Sequence, residues 1–579
     1  MLKKFLSFLM CAILLCGLLP AFAEETLTEK TFPLYLDDIE HVDEIHLVFP
    51  DGNEEIPYVS ADEMCRLLNY ICHDLCMDEG YQLTLHQQGV NALLIRENGA
   101  DTLIDFENSV ISFNQYDAFV SRSNAVNPLD MLVLGKHASG NEDPDVFLIN
   151  HENTFSCNGN YTAFDLKEYG IPTPVSGEKG YLPLQTFSDI FFTGTGTALC
   201  WNGQIAVLAS SAALIDSMQM QTPLGELYYS VPVRERSEAL IEFNLNELCL
   251  ALDFHYGLKE EHNIENFRDY FTRSGLVLDL TNPDAQVSNS ALSRLCMQHF
   301  SDGHSSLVAA SPYAEYGSAA VNLDGMSVGL ITKLMAILEY NAARTTAYPE
   351  GTPAYEEVGN TAYVTFDIFT LDAFKDYYTA EIPENMLAET ADTLDLLIYA
   401  AGQINRENSP VENVVIDLSN NGGGALDAAV CVCAWALGTH TLYIEDTATG
   451  GQSSTLYTFD ANLNHVFNDS GDSVRTKNLF CLISPNSFSC GNLVPAVFRA
   501  SGKVTLLGKA STGGACVVQV LSTADGSLFA VSGRRRINTC NNGVLYSVDA
   551  GVEPHYYLPK SAMFYNRQKL TDYINSLMW

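Results

Sequence analysis

Residues 414–430 read VVIDLSNNGGGALDAAV. A short apolar run ends on Asp417, a polar turn carries Gly422, Gly423 and Gly424, and an apolar, helix-periodic stretch follows. A continuous apolar run bounded by turn residues fits a buried strand, and the change of period beyond the glycines fits a helix. A Gly-rich strand-to-helix turn presents main-chain N–H groups that can hold an anion or a developing oxyanion. The stretch matches neither the G-x-x-x-x-G-K-[ST] pattern nor the dinucleotide fingerprint. By itself it leaves three roles open: a phosphate site, an oxyanion site, or a plain change of chain direction.

Outward from this turn, strand-like and helix-like segments alternate. TAYVTFDIFTL and a helix through 394–403 precede it. After it come helix ALDAAVCVCAWALG, strand NLFCLISP, helix GNLVPAVFRAS, strands VTLLG and CVVQVLS, hairpin LFAVSGRRRINTCNN and the segment GVEPHYYLP. The alternation predicts an α/β domain over 361–579. Upstream, 226–310 carries apolar residues at i, i+3, i+4 in ALIEFNLNELCLALDFHYG and NSALSRLCMQHFSDGH, which predicts helices. Residues 311–360 read as one further helix, over 326–342, and a Pro/Gly loop. In 24–225 a pattern of strand, helix and hairpin occurs twice. IPYVSADEMCRLLNYI leads to YQLTLHQQ and NALLIRENG, and GYLPLQTFSDIFF leads to ALCWNG and QIAVLAS. This predicts an α+β domain of two half-repeats, with 121–180 as a loop-rich insertion between them.

Residues 1–23 have a signal-peptide pattern: Lys3 and Lys4, an apolar run over 5–19, then Ala21-Phe22-Ala23. They predict a cleaved leader and an exported bacterial protein, secreted or at the cell surface. No later stretch is long and apolar enough to span a bilayer, so stable membrane insertion is not expected. The formal net charge of −41 repels nucleic acid and anionic membranes, so no nucleic-acid partner is expected. Most of the 15 cysteines lie in apolar runs and read as buried free thiols. HExxH is absent, and Cys72 and Cys76 lack a second ligand pair, so neither metal nor cofactor is expected.

Two further segments carry chemistry. In LISPNSFSCGNLV a strand leads through Asn486-Ser487-Phe488-Ser489-Cys490-Gly491 into a helix. A serine at that junction serves either as an N-cap or as a nucleophile beside the first helical N–H groups. In HFSDGHSSL, His304 lies in a polar turn that closes a helical stretch.

The three segments, in this order, resemble the framework of the C-terminal-processing and tricorn-core proteases, peptidase family S41. The matching motifs are Asp302-Gly303-His304-Ser305, the run from Asp417 to Gly424, Ser487-Phe488-Ser489-Cys490-Gly491-Asn492, the stretch from Gly508 to Gly514, and Gly551-Val552-Glu553-Pro554. The resemblance covers about the second half of the chain. It implies a mixed-sheet, ClpP/crotonase-like α/β catalytic domain. It puts the nucleophile on Ser489 and the oxyanion hole on the amides of Cys490 and of Gly423 or Gly424.

The chain departs from the family twice. Where processing proteases carry a catalytic lysine, Gly514 stands here. His304, which matches the tricorn-branch histidine, then becomes the base, with Glu553 as the group that orients it and Asp302 as a rival orienter. Lys509 as a displaced base and Cys490 as the nucleophile are the other readings. The second departure is that 305–363 is too short for a PDZ domain. The resemblance thus implies a secreted serine endopeptidase acting on peptides or unfolded proteins. The alternative is a non-catalytic extracellular binder on the same fold, as in the family's retinoid-binding branch. The region 24–225 resembles the stalk domain named after the N-terminal domain of copper amine oxidases, which implies contact with cell wall or protein and no copper.

Overall fold

Five strands of the alternation over 361–579 form a six-stranded sheet in the computed structural model, with Tyr355–Val358, read as part of a loop, as its sixth strand. The structure describes residues 27–577 except 37, 51–52, 71–81, 122–126, 130, 133–147, 211–212, 215–217, 219–221, 316–325, 373–374 and 542. The signal-peptide segment and the pair Cys72/Cys76 lie outside the described residues. The sheet runs, in spatial order, β1 (Tyr355–Val358), β2 (Thr361–Thr365), β3 (Asn413–Asp417), β4 (Asn478–Ile483), β5 (Val504–Gly508) and β6 (Tyr556–Tyr557). Strands β2 to β6 are parallel and β1 is an antiparallel edge. The chain is thus mixed α/β.

Helices α2 (Thr393–Ile404), α3 (Leu426–Leu437) and α4 (Cys490–Ser501) connect the parallel strands; α1 (Val328–Ala347) precedes the sheet. Asp392 starts α2 by accepting hydrogen bonds from the amides of Leu394 and Asp395, an N-cap of the ordinary kind. Helix α3 is buried from Asp427 through Ala436. It is apolar all round because it is buried in one core together with residues of β3, β4, α2, α4 and strands His440–Asp446 and Gln452–Phe459. The strand expected over 361–371 stops at Thr365. Phe369 instead forms an isolated parallel bridge to Gly424, which fastens the Gly-rich turn to the chain beyond β2.

A second sheet positions the histidine. Its long strand Leu528–Asn541 pairs with Ser306–Ala309, Cys516–Ser522, His440–Asp446 and Val544–Ser547. The register Ser306↔Ala530 brings the turn that carries His304 beside Ser532.

In the N-terminal region the strand–helix–hairpin pattern occurs twice, as read. The two leading strands, Tyr58–Ser60 and Lys179–Pro183, pair antiparallel with each other. The hairpins then separate. Leu83–Gln88 and Asn91–Arg96 open a five-stranded sheet, whereas Thr197–Trp201 and Ala206–Ser210 join a seven-stranded one. The stretch 121–180 is not simply a loop-rich insertion: Ile149–Cys157 extends the second sheet by pairing with Gln452–Phe459, and Thr162–Asp165 completes the five-stranded sheet. Pairing therefore crosses the boundary read near 225. Buried Arg534 reinforces that crossing by binding Asp117 (3.2 Å) and Asp446. Removing one partner of a buried pair costs about 3–5 kcal/mol. All eleven described cysteines are free and eight are buried. No helix among the described residues is long and apolar enough to cross a membrane.

Candidate active site

The turn between β4 and α4 is built from hydroxyls and main chain. Ser484 Oγ donates to the Ser419 carbonyl (2.6 Å) and Ser487 Oγ to that of Leu418 (2.7 Å), tying the turn to the end of β3. The Phe488 amide donates to the Asn421 carbonyl (3.1 Å) and the Ser489 amide to that of Gly513 (2.8 Å). Ser489 has φ 55° and ψ −126°, and its side chain makes no capping hydrogen bond. The N-cap reading of this serine therefore fails. A non-glycine residue at positive φ stores about 1–3 kcal/mol of strain that its surroundings must hold. A strained strand-to-helix turn is also the device that leaves a serine hydroxyl exposed at a helix start. Ser489 is indeed half-buried while Phe488 and Cys490 on either side are buried.

The Gly-rich turn lies against this serine. At Gly423, φ is 118°, and a Cβ there would sit 2.8 Å from Ser489 Cβ and 3.2 Å from Oγ, so only glycine fits. The Gly423 amide donates to Asn421 Oδ1 (2.9 Å). Among the described residues the amides of Gly424 and Cys490 donate to no protein acceptor. Unpaired main-chain donors beside a serine are what an oxyanion requires.

His304 stands in a turn shaped by Asp302. Asp302 Oδ1 accepts from the amides of His304 (3.0 Å) and Ser305 (2.8 Å), and Oδ2 from Ser305 Oγ (2.8 Å) and the Tyr256 hydroxyl (3.3 Å). With both oxygens engaged there, Asp302 forms the turn and does not orient the ring. The imidazole lies against Phe488, with ring centroids 4.6 Å apart. Its Nδ1 is 3.4 Å from Ser532 Oγ, and its Nε2 is buried without a partner. Burial holds His304 below the ordinary imidazole value; Asp302 and Asp549 oppose that shift and Lys333 adds to it. No hydrogen bond joins His304 to Ser489; the ring meets the residue before it.

Glu553 is not brought to the ring. Its side chain is exposed and its carbonyl accepts from Arg499 (2.7 Å). The adjoining Val552 is locked to Ser511 by amide–carbonyl and amide–hydroxyl bonds (3.1 and 2.8 Å), and the chain then enters edge strand β6. The group at Nδ1 is Ser532 instead. Lys509 points over the Tyr340 ring, 5.6 Å from its centroid. The Cys490 thiol is pushed up to about 12, first by burial and then by Asp427, so it stays protonated and unsuited to attack. Gly514 has φ 92°, and a Cβ there would meet the Phe488 ring at 2.7 Å and the Ser489 nitrogen at 3.1 Å.

Sequence reasoning missed Phe488, Ser532 and Lys333. Lys333 had a signal, being the lone charge in the apolar run VGLITKLMAIL, whereas Ser532 had none.

Residues 389–558 match the model of Peptidase family S41. A protein of Chlamydia pneumoniae is 32% identical over 103 residues, which are 18% of this chain and 16% of that protein. The chain thus spans about one-sixth of the length of this curated relative. Among solved structures, the photosystem II D1 C-terminal processing protease is 19% identical with a TM-score of 0.25, over 35% of this chain and 42% of that one. Mature CPAF is 11% identical with a TM-score of 0.35, over 58% and 97%. The tricorn protease is 12% identical with a TM-score of 0.24, over 42% and 19%. The family match carries the assignment, and these likenesses add nothing to it. The matched segment holds the Gly-rich turn, Ser489 and Glu553, while His304 lies upstream of it. The chain carries, over residues 389–558, a domain of peptidase family S41.

Proposed function

We propose that the protein is a serine endopeptidase with Ser489 as nucleophile and His304 as general base. One observation supports this most: a half-exposed serine at positive φ, with the unpaired amide of Cys490 next in the chain, directly follows Phe488, whose ring bears an imidazole with a buried, partnerless Nε2. In this reading His304 carries its proton on Nδ1, which donates to Ser532 Oγ, and leaves Nε2 free to accept. Nε2 takes the Ser489 proton as Oγ attacks a peptide carbonyl. The oxyanion rests on the amides of Cys490 and of the Gly-rich turn, where Gly424 has the unpaired donor. The imidazolium returns the proton to the leaving amine, and water cleaves the acyl-enzyme by the same steps reversed. A glycine at 514 leaves no lysine to serve as base there.

The substrate is a peptide or unfolded protein segment, extended along a strand edge. Removal of residues 1–23 on export and a cell-wall or protein contact through the N-terminal region complete the proposal. Its test is casein or peptide cleavage by Ser489→Ala and His304→Ala, each checked for folding. Wild-type turnover in either folded variant would refute the assignment. The second reading, a binding protein without turnover, has one observation in its favour: His304 and Ser489 share no hydrogen bond. A Ser489 inert to a fluorophosphonate probe would select it.

A further inference from the structure

Helix α1 is anchored chiefly by its C-terminal half. In its C-terminal half, Tyr340 packs edge-on against Phe564 (centroids 5.0 Å apart), and Arg344 binds Asp367, Glu389 (3.0 Å) and Thr352. In its N-terminal half Val328, Ile331, Met335 and Leu338 face outward. That half meets the body through a Ser327–Ser301 hydroxyl contact, the Ser327 amide on the Met297 carbonyl (3.4 Å), Lys333 and the half-covered Leu330, Ala336 and Ile337. A lysine on an exposed helix normally carries its ammonium out to water. Lys333 instead places Nζ 3.1 Å from the centroid of the Phe488 ring, close enough to Gly303 that a Cβ there would lie 3.2 Å away. Among the described residues it has no ion pair and no hydrogen bond. The same Phe488 ring bears the His304 imidazole, and Phe488 immediately precedes Ser489. One aromatic ring therefore carries a cation and the imidazole next to the serine.

We propose that Lys333 is a positioning residue of this site: its ammonium, seated on Phe488, fixes that ring against His304 and supplies the positive charge that offsets the carboxylates around the imidazole. The inference rests on the reading of Ser489 and His304 as nucleophile and base. The charged groups acting on the imidazole are Asp302 from its own turn, Asp549 from the turn after strand Val544–Ser547, and Lys333 from α1. The two carboxylates favour the imidazolium, which cannot accept a proton. Lys333 opposes them. Its own ammonium is held down to about 8, mainly by burial, so it is charged through the acid and neutral range where His304 titrates.

The test compares full-length wild type, Lys333→Met and Lys333→Arg. The measurements are kcat/KM for a peptide and the rate of fluorophosphonate labelling of Ser489, across pH. Without the cation the imidazole protonates more readily, so the acid limb of Lys333→Met moves to higher pH. We expect its loss to be at least ~3-fold greater at about pH 5.5 than at about pH 7. Lys333→Arg keeps the charge and the contact with the ring and keeps the wild-type limb. A Lys333→Met profile superimposable on wild type overturns the inference. So does an equal, pH-independent loss in both variants, which marks packing alone. Failure of the wild type to label at Ser489 removes the underlying reading and this inference with it; labelling with an unmoved limb removes the inference alone.

Discussion

The two sides of the candidate site are built by different means. The serine side is held by hydrogen bonds close to the chain, most of them main-chain: the Ser489 amide on Gly513, Phe488 on Asn421 and the Gly-rich turn on Phe369, with the Ser484 and Ser487 hydroxyls on the carbonyls of Ser419 and Leu418. The histidine side is made of side chains from separate elements: Asp302 shapes the turn, Phe488 supports the ring, Ser532 meets Nδ1 and Lys333 sets the local charge. Main-chain hydrogen bonds fix a position to within the geometry of the bond. Side-chain packing leaves room for a rotamer change. On the proposed roles, Ser489 and the unpaired amides of Gly424 and Cys490 are set by local hydrogen bonds, while the imidazole shares no hydrogen bond with Ser489 and is held by packing. Catalytic hydrogen bonds that are long in a free enzyme and tighten with substrate fit this division.

Breaking the serine side should have the largest effects. Ser489→Ala should lower kcat by ~10⁴-fold or more, measured by peptide turnover in a variant that keeps the wild-type circular dichroism spectrum. Gly423→Ala puts a methyl group against Ser489 in a backbone region side chains avoid. It should cost about 1–3 kcal/mol by denaturant unfolding, and ~10²-fold in kcat through the displaced serine and oxyanion donors. Breaking the histidine side should be graded. Ser532→Ala removes the Nδ1 partner and should lower kcat/KM by ~10-fold, because the tautomer and aim of the ring lose one support. Glu553→Gln, on an exposed side chain away from the ring, should stay within ~2-fold in the same assay. If Glu553→Gln is the more damaging of the two, the division drawn here is wrong about what orients His304.

The pH profile sharpens the same contrast. A base must be neutral to act, and burial lowers the value at which His304 becomes neutral. The acid limb of kcat/KM should therefore lie below the ordinary imidazole value of about 6.5, with activity rising as pH climbs through it. A limb above that value would place the base in a more polar or more acidic setting than the one described.

The serine side was more legible in the sequence than the histidine side, for a physical reason. Gly422 to Gly424 and Ser489 sit at junctions between apolar strands and apolar helices, and such junctions announce themselves through periodicity and turn residues. Helices α2 and α3 fall within a residue of their expected ends, because the Asp392 cap that starts α2 and the Gly438 that ends α3 are local features. Ser532 was invisible because it is one polar residue inside a long strand, and only the register Ser306↔Ala530 gives it a role. Glu553 follows from a motif match alone, and its exposed side chain is not at the His304 ring. The hydrogen bonds of its neighbour Val552 to Ser511 direct the local chain into edge strand β6 instead. The strand Ile149–Cys157 was lost for a similar reason: its polar sequence INHENTFSC lacks apolar alternation, and its partner is some 300 residues away.

The most direct measurement is covalent labelling by a fluorophosphonate probe, with the modified residue located by mass spectrometry in the full-length protein and in His304→Ala. A single adduct on Ser489 is expected in the wild type, formed at least ~10²-fold more slowly when the imidazole is gone. Labelling of another residue, or of Ser489 at the same rate with and without His304, would contradict it.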